Sequence, residues 1–79
     1  MPLYYFDTRE GETFLRDDTG LELDGLEAAR DEATAGLATM ARDAIPGALR
    51  RELAIEVSDT DRNPLLRASL WFEVAVLAS

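Results

Sequence analysis

Between Leu26 and Ala44 the apolar residues Leu26, Ala29, Ala33, Leu37, Met40 and Ala44 recur at spacings of three and four, which is the period of one face of an α-helix. Glu27, Asp31, Thr34, Ala38 and Arg42 fall on the opposite side and are expected to meet water. The run predicts an amphipathic helix of about 20 residues, ~30 Å long. Asp24 suits the free amides of a first turn, and Glu27, three residues on, completes an Asp-x-x-Glu capping box. Both acids also lie at the positive end of the helix dipole. Pro46 and Gly47 end the run, because proline clashes with the preceding turn and glycine readily adopts left-handed geometry. Gly36 beside the stripe costs up to ~1 kcal/mol of helix propensity and permits close approach to a second layer.

On both sides of this helix the period changes to two. Leu3–Arg9 is aromatic-rich and alternates, so Tyr4, Phe6 and Thr8 are expected inward and Leu3, Tyr5, Asp7 and Arg9 outward. Glu10-Gly11-Glu12 is a turn signal, after which Thr13–Arg16 returns as a second strand. Asp17-Asp18-Thr19-Gly20 is another turn, and Leu21-Glu22-Leu23 extends the pairing briefly. After the helix, Leu53, Ile55 and Val57 alternate with Glu52, Ala54, Glu56 and Ser58, the pattern of a strand with one buried face. Asp59-Thr60-Asp61-Arg62-Asn63-Pro64 is a turn by composition. Leu66, Ala68, Leu70, Phe72, Val74 and Val76 then alternate against Leu65, Arg67, Ser69, Trp71, Glu73 and Ala75.

The pairing of the last two strands follows from the side-chain period. Both apolar sets share a face only if the numbers of paired residues sum to an odd value. A loop centred on Asp61 and Arg62 pairs Val57 with Leu66, Ile55 with Ala68 and Leu53 with Leu70 on the inside. On the outside it sets Glu56 opposite Arg67 and Arg50 opposite Glu73; opposite charges placed so contribute a few tenths of a kcal/mol. The expected fold is a single domain over residues 1–79 of the α+β class. It has two layers, one long helix on a mostly antiparallel four-stranded sheet, in the order strand–strand–helix–strand–strand. The long helix excludes a β-sandwich, and the single crossover excludes a doubly wound fold.

With 16 acidic residues against eight arginines, the net charge is −8, and lysine, histidine and cysteine are absent. Disulfides, thiolate catalysis, imidazole chemistry and His/Cys metal ligation are therefore excluded. Nucleic-acid binding rests on clustered basic side chains, yet only Arg50 and Arg51 are adjacent and Glu52 follows them. No nucleic-acid partner is expected. No apolar run approaches the ~20 residues needed to span a bilayer. Met1–Asp7 has no basic stretch ahead of an apolar one, so no signal peptide is expected and the expected compartment is the cytoplasm. An apolar fraction of 47% is that of a globular chain.

The acids invite a metal reading. Asp59-x-Asp61-x-Asn63 copies the first ligand positions of a calcium loop, but Pro64 stands where the sharp turn needs glycine and Leu70 where the bidentate acid belongs. A solvated hairpin turn is the expectation, and Asp17, Asp18, Glu22 and Asp24 are expected as turn and cap residues. The five glycines are scattered singly, so no phosphate-cradling loop is present. Acid–base work would fall to carboxylates or tyrosines alone, and a domain this small has little room for a deep pocket. The expectation is a non-enzymatic chain with no catalytic residue, cofactor, metal or small-molecule ligand.

One helix covers one side of a sheet. The other side would carry Leu3, Tyr5, Leu65, Arg67, Trp71 and Glu73, with Asp7 and Ala75. A tryptophan among aromatics and arginine has the composition of an interface core. The last strand, if it runs from Leu65 to Leu77, spans ~43 Å, longer than the helix, and either bends at a bulge or leaves an edge open to another chain.

Several pieces of the chain resemble one family together. They are Met1-Pro2-Leu3-Tyr4-Tyr5-Phe6-Asp7, Asp17-Asp18-Thr19-Gly20-Leu21-Glu22-Leu23, Leu26-Glu27-Ala28-Ala29-Arg30-Asp31-Glu32-Ala33 and Arg50-Arg51-Glu52-Leu53-Ala54-Ile55-Glu56-Val57. They are similar to a family of small bacterial proteins of unknown function, frequent in rhizobia and related proteobacteria. The resemblance covers essentially the whole chain and implies a cytoplasmic, cofactor-free domain. That family often has Asp-Gly at Glu10-Gly11 and Gly at Arg62, so Asn63 is expected to take the left-handed position here. The strand–strand–helix–strand order also looks distantly like the core of HicB-type antitoxins, an analogy of topology and acidity alone. The functional expectation is a small acidic protein-interaction module that forms a homodimer. The alternative is an antitoxin-like regulatory subunit that masks a basic protein partner.

Overall fold

Alternation in the first ten residues produces β1 (Leu3–Glu10), which turns at Gly11, in left-handed backbone with φ 58°, into the short β2 (Thr13–Leu15). After the Asp17–Gly20 turn, β3 (Leu21–Glu22) returns to the same edge of β1. The helix α1 (Leu26–Ala44) crosses over, and β4 (Arg50–Ser58) and β5 (Pro64–Glu73) close the chain as a hairpin. This computed structural model describes residues 1–78. The sheet order is β2-β1-β4-β5, with β3 beside β1, and every pairing is antiparallel. The α+β architecture expected from the sequence is the one observed, with β3 as a brief fifth strand.

The expected register is also the observed one. Val57 pairs with Leu66, Ile55 with Ala68 and Leu53 with Leu70. A bulge at Val57 and Ser58 then shifts the pairing, so that Ser58 meets Pro64. On the other side of β4, Phe6 pairs with Val57 and Thr8 with Ile55, which sets Tyr4, Phe6 and Thr8 on the helix-covered face.

The core is built from Leu53, Ile55 and Val57 of β4 against Ala29, Ala33, Leu37 and Ala41 of α1, with Tyr4 beside them. The helix lies chiefly over β4 and then over β5. Its buried residues keep a strict spacing of four, and such a row is inclined to the helix axis. The contact line therefore leaves the stripe predicted parallel to that axis. Ala41 is buried, whereas Leu26 remains 47% exposed and Met40 and Ala44 are half-buried. A Cβ on Gly36 would lie 3.0 Å from Ile55 Cδ1, so the missing side chain does serve a close approach.

Three local expectations are corrected. The capping box does not form. Gly25, in extended backbone, is the N-cap, and no side chain among the described residues caps the helix. The Leu23 N–H is drawn to the Pro2 carbonyl at 3.0 Å, and the half-helical position falls one residue beyond Asp24. The last strand ends at Glu73 rather than Leu77. Its final rung is the Val74 N–H on the Leu49 carbonyl at 2.8 Å, beyond which the chain around Gly47 turns away and offers no partner. The left-handed residue of the β4–β5 turn is Arg62, with φ 65°, not Asn63. Asn63 is instead held by the Asp59 carboxylate, which accepts its backbone N–H at 2.9 Å.

Candidate functional site

The face of the sheet away from α1 is defined by register. Reading across the strands, Asp7 lies level with Glu56 and Arg67. Arg9 lies level with Ala54 and Ser69, and Glu52 is paired with Trp71. Arg50 is paired with Glu73 at the far end. The two outer ion pairs expected from the sequence are present, Arg67 Nη2 to Glu56 Oε2 at 2.8 Å and Arg50 Nη2 to Glu73 Oε2 at 3.4 Å. Both are solvent-exposed, so each contributes at most ~1 kcal/mol.

The six predicted interface residues share this face but form two groups. Leu3, Tyr5 and Leu65 lie at the end nearest the Asp17 and Arg62 turns; Trp71 and Glu73 lie at the other end, with Arg67 between them. Tyr5 is already covered, since the Arg62 guanidinium stacks 3.7 Å from its ring centroid. Leu3 is half-buried beside Gly20, whose added Cβ would meet its Cδ1 at 3.0 Å. Leu65 is 39% exposed and Trp71 69% exposed. Trp71 is thus the large free aromatic side chain of the set, and with Glu52, Leu53, Ser69 and Leu70 it lines a groove of about 330 Å³.

What occupies Tyr5 is a polar clamp. The Asp17 carboxylate accepts the N–H groups of Phe6, Thr19 and Gly20, each at 3.0 Å. The Asp17 N–H donates to Asp7 Oδ1 at 2.8 Å, and Arg62 donates to the Asp17 carbonyl at 2.8 Å and reaches Asp7 Oδ1 at 3.5 Å. Burial pushes the Asp17 carboxyl up, but the bonds from Gly20, Phe6 and Thr19 and the charge of Arg62 outweigh it and hold the group below the ordinary carboxylate value. Asp-x-Thr-Gly is a readable turn signal; the bonds from Asp17 to β1 and from Arg62 to Tyr5 join residues far apart in sequence and have no local signature. Ser58, opposite Tyr5, is buried, and its hydroxyl has no hydrogen-bond partner among the described residues.

The acidic turns are structurally employed. The Asp59 carboxyl is held below its ordinary value chiefly by the Asn63 N–H, with Asp61 also donating to it. No group of three or more carboxylates converges as a ligand set among the described residues. No helix among them is long and apolar enough to cross a membrane.

The unoccupied hydrogen-bonding capacity lies on β5. In an antiparallel ladder alternate residues bond to one neighbour and those between them face the other way. The Val74–Leu49 bond places the even-numbered residues of β5 on β4. The N–H and C=O groups of Leu65, Arg67, Ser69, Trp71 and Glu73 consequently point to the outer edge, where no strand among the described residues pairs with them. Pro64, at the start of β5, is its one proline.

No curated protein and no solved structure matches the chain. A family match described as a domain of unknown function (DUF6894) covers residues 3–71, which takes in β1 through most of β5. The chain belongs to that DUF6894 family.

Proposed function

We propose that this chain is a small, non-enzymatic protein-interaction module that associates with itself through its sheet, with β5 as the contact element. The observation that carries this reading is the open edge of β5, unpaired among the described residues and bordered by the exposed Trp71. Such an edge is a template for another strand, and an aromatic anchor beside a polar rim is the composition of an interface centre. Three surface grooves are each lined by a single carboxylate, Glu52 or Glu27, which supplies no acid–base pair there and supports the non-enzymatic reading. The resemblance to rhizobial and related bacterial proteins supports a bacterial cytoplasm as its setting.

Sedimentation tests the proposal. The wild-type chain is expected to self-associate at micromolar concentration. Ser69→Pro removes an edge N–H that β4 does not use, so it is expected to leave a folded monomer. A wild-type chain that remains monomeric at high micromolar concentration defeats the reading. Unchanged association of Ser69→Pro moves it off the edge.

A second reading, an antitoxin-like subunit masking a basic protein, is supported by the charge arrangement. Arg16, Arg30, Arg50, Arg62 and Arg67 each pair with an acid of the same chain, and the acids in excess, most of them exposed, leave the surface negative. Capture of a basic protein from the native host by a chain that is itself monomeric would favour it.

A further inference from the structure

We infer that the occupant of the β5 edge is a second copy of this chain, related by a two-fold axis at Leu70, so that Arg67 of each copy faces Glu73 of the other. The inference rests on the self-association reading and adds the geometry of the contact.

Parity limits the choices first. Only odd-numbered residues of β5 carry free backbone groups, so an antiparallel partner strand must set odd against odd. The same rule keeps outer side chains beside outer side chains and continues the helix-covered face across the junction. Two copies repel through their net charge of −8, but β5 carries one Arg and one Glu and is locally neutral.

Charge then selects among the permitted registers. With Leu70 opposite itself, Arg67 meets Glu73 of the second copy twice, and Ser69 meets Trp71. Within each chain Arg67 already lies opposite Glu56, and Glu73 opposite Arg50. The row across the junction becomes Glu56, Arg67, then Glu73 and Arg50 of the second copy, with the sign alternating at every step. Moving the axis to Ser69 would set Leu65 against Glu73 and Arg67 against Trp71. Moving it to Trp71 would set Ser69 against Glu73 and leave Arg67 opposite Ala75. Neither alternative forms an ion pair across the junction. On the helix-covered face the Leu70 register stacks Leu70 on Leu70 and Ala68 beside Phe72, half-buried side chains that a single helix covers incompletely. A two-fold contact of this kind is self-complementary and closes at two copies.

Mixing single charge variants tests the register. Arg67→Glu places Glu against Glu73 twice, and Glu73→Arg places Arg against Arg67 twice. Each alone is expected to weaken association by about tenfold or more. An equimolar mixture restores opposite signs at both pairs and is expected to form mixed dimers near wild-type strength. A mixture no tighter than either variant alone overturns the register.

The chain has no cysteine, so single cysteines give an independent readout. Facing residues in a pair without mutual hydrogen bonds have Cα atoms ~4.5 Å apart, within disulfide reach. Leu70→Cys is expected to form a disulfide-linked dimer on mild oxidation, and Ser69→Cys much less. Faster linking by Ser69→Cys overturns this register while leaving association through the edge intact. A wild-type chain that stays monomeric removes both.

Discussion

The β4–β5 hairpin and the β1–β3 side of the sheet belong to one sheet but are held in different ways. Under α1, Leu53 and Val57 are almost wholly sealed from solvent and the contacts are aliphatic. On the β1 edge, Phe14, Leu15 and Leu21 are exposed, and order comes from one carboxylate bonded to three backbone amides and one guanidinium laid on Tyr5. A 19-residue helix covers about two strands. Where its cover ends, burial no longer offsets chain entropy, and directional polar contacts take over. Stability here is regional, and the two regions should respond to different perturbations.

The largest expected effect comes from the apolar side. Leu53→Ala leaves a cavity at the centre of the core and should cost about 2–5 kcal/mol, measured by urea unfolding. In a domain this small that is a large share of the total. A loss below about 1 kcal/mol would mean the helix does not seal β4.

Asp17→Ala should come next. Three amides lose their acceptor, at about 1–3 kcal/mol. Hydrogen exchange is expected to speed up at Phe6, Thr19 and Gly20 while Ile55 and Val57 stay protected; equal acceleration in both places would dissolve the distinction between the regions. Acid should act on the same place. The folded-state pKa of Asp17 is depressed, so its contribution is present above the ordinary carboxylate value and is lost as pH falls through the lower folded one. Protection of this segment, taken relative to the intrinsic exchange rate at each pH, should fall with acid over that range in the wild type and much less in Asp17→Asn.

Arg62 separates backbone from side chain. Arg62→Ala keeps a left-handed non-glycine residue and loses the clamp, and should destabilise by about 1–2 kcal/mol. Arg62→Gly loses the same contacts but relieves about 1 kcal/mol of backbone strain, so it should melt measurably higher than Arg62→Ala. If the two melt alike, the left-handed backbone carries no strain. Asp24→Ala should be the mildest change, within about 0.5 kcal/mol in thermal melts, because Gly25 is the N-cap and Asp24 makes no capping bond.

The two regions also differed in legibility. The register of β4 and β5 could be read because parity and two charge pairs agree on one answer, and the exposed position of Trp71 followed from that register. The clamp could not be read, although Asp7, Asp17, Tyr5 and Arg62 were all in view. Its contacts bridge residues up to 55 positions apart, and no periodicity connects them. The six residues expected at a contact do share one face, but Tyr5 and Leu3 are covered from within by Arg62 and the Asp17 turn. The helix cap was missed by one position because the pairing of Leu23 with Pro2, a tertiary contact, sets where the helix begins.

From its residues alone the chain determined its element types, the two faces of each strand and the pairing of its last hairpin, since side-chain direction alternates with a fixed period and a register slip would turn apolar groups into water. Tertiary structure alone decided that β1 sits between β2 and β4, how far the helix reaches across the strands, and that Arg62 adopts left-handed backbone to lie on Tyr5. Those outcomes depend on which distant segments meet, and the free energy of such meetings is a property of the assembled layers, with no trace in the local order of residues.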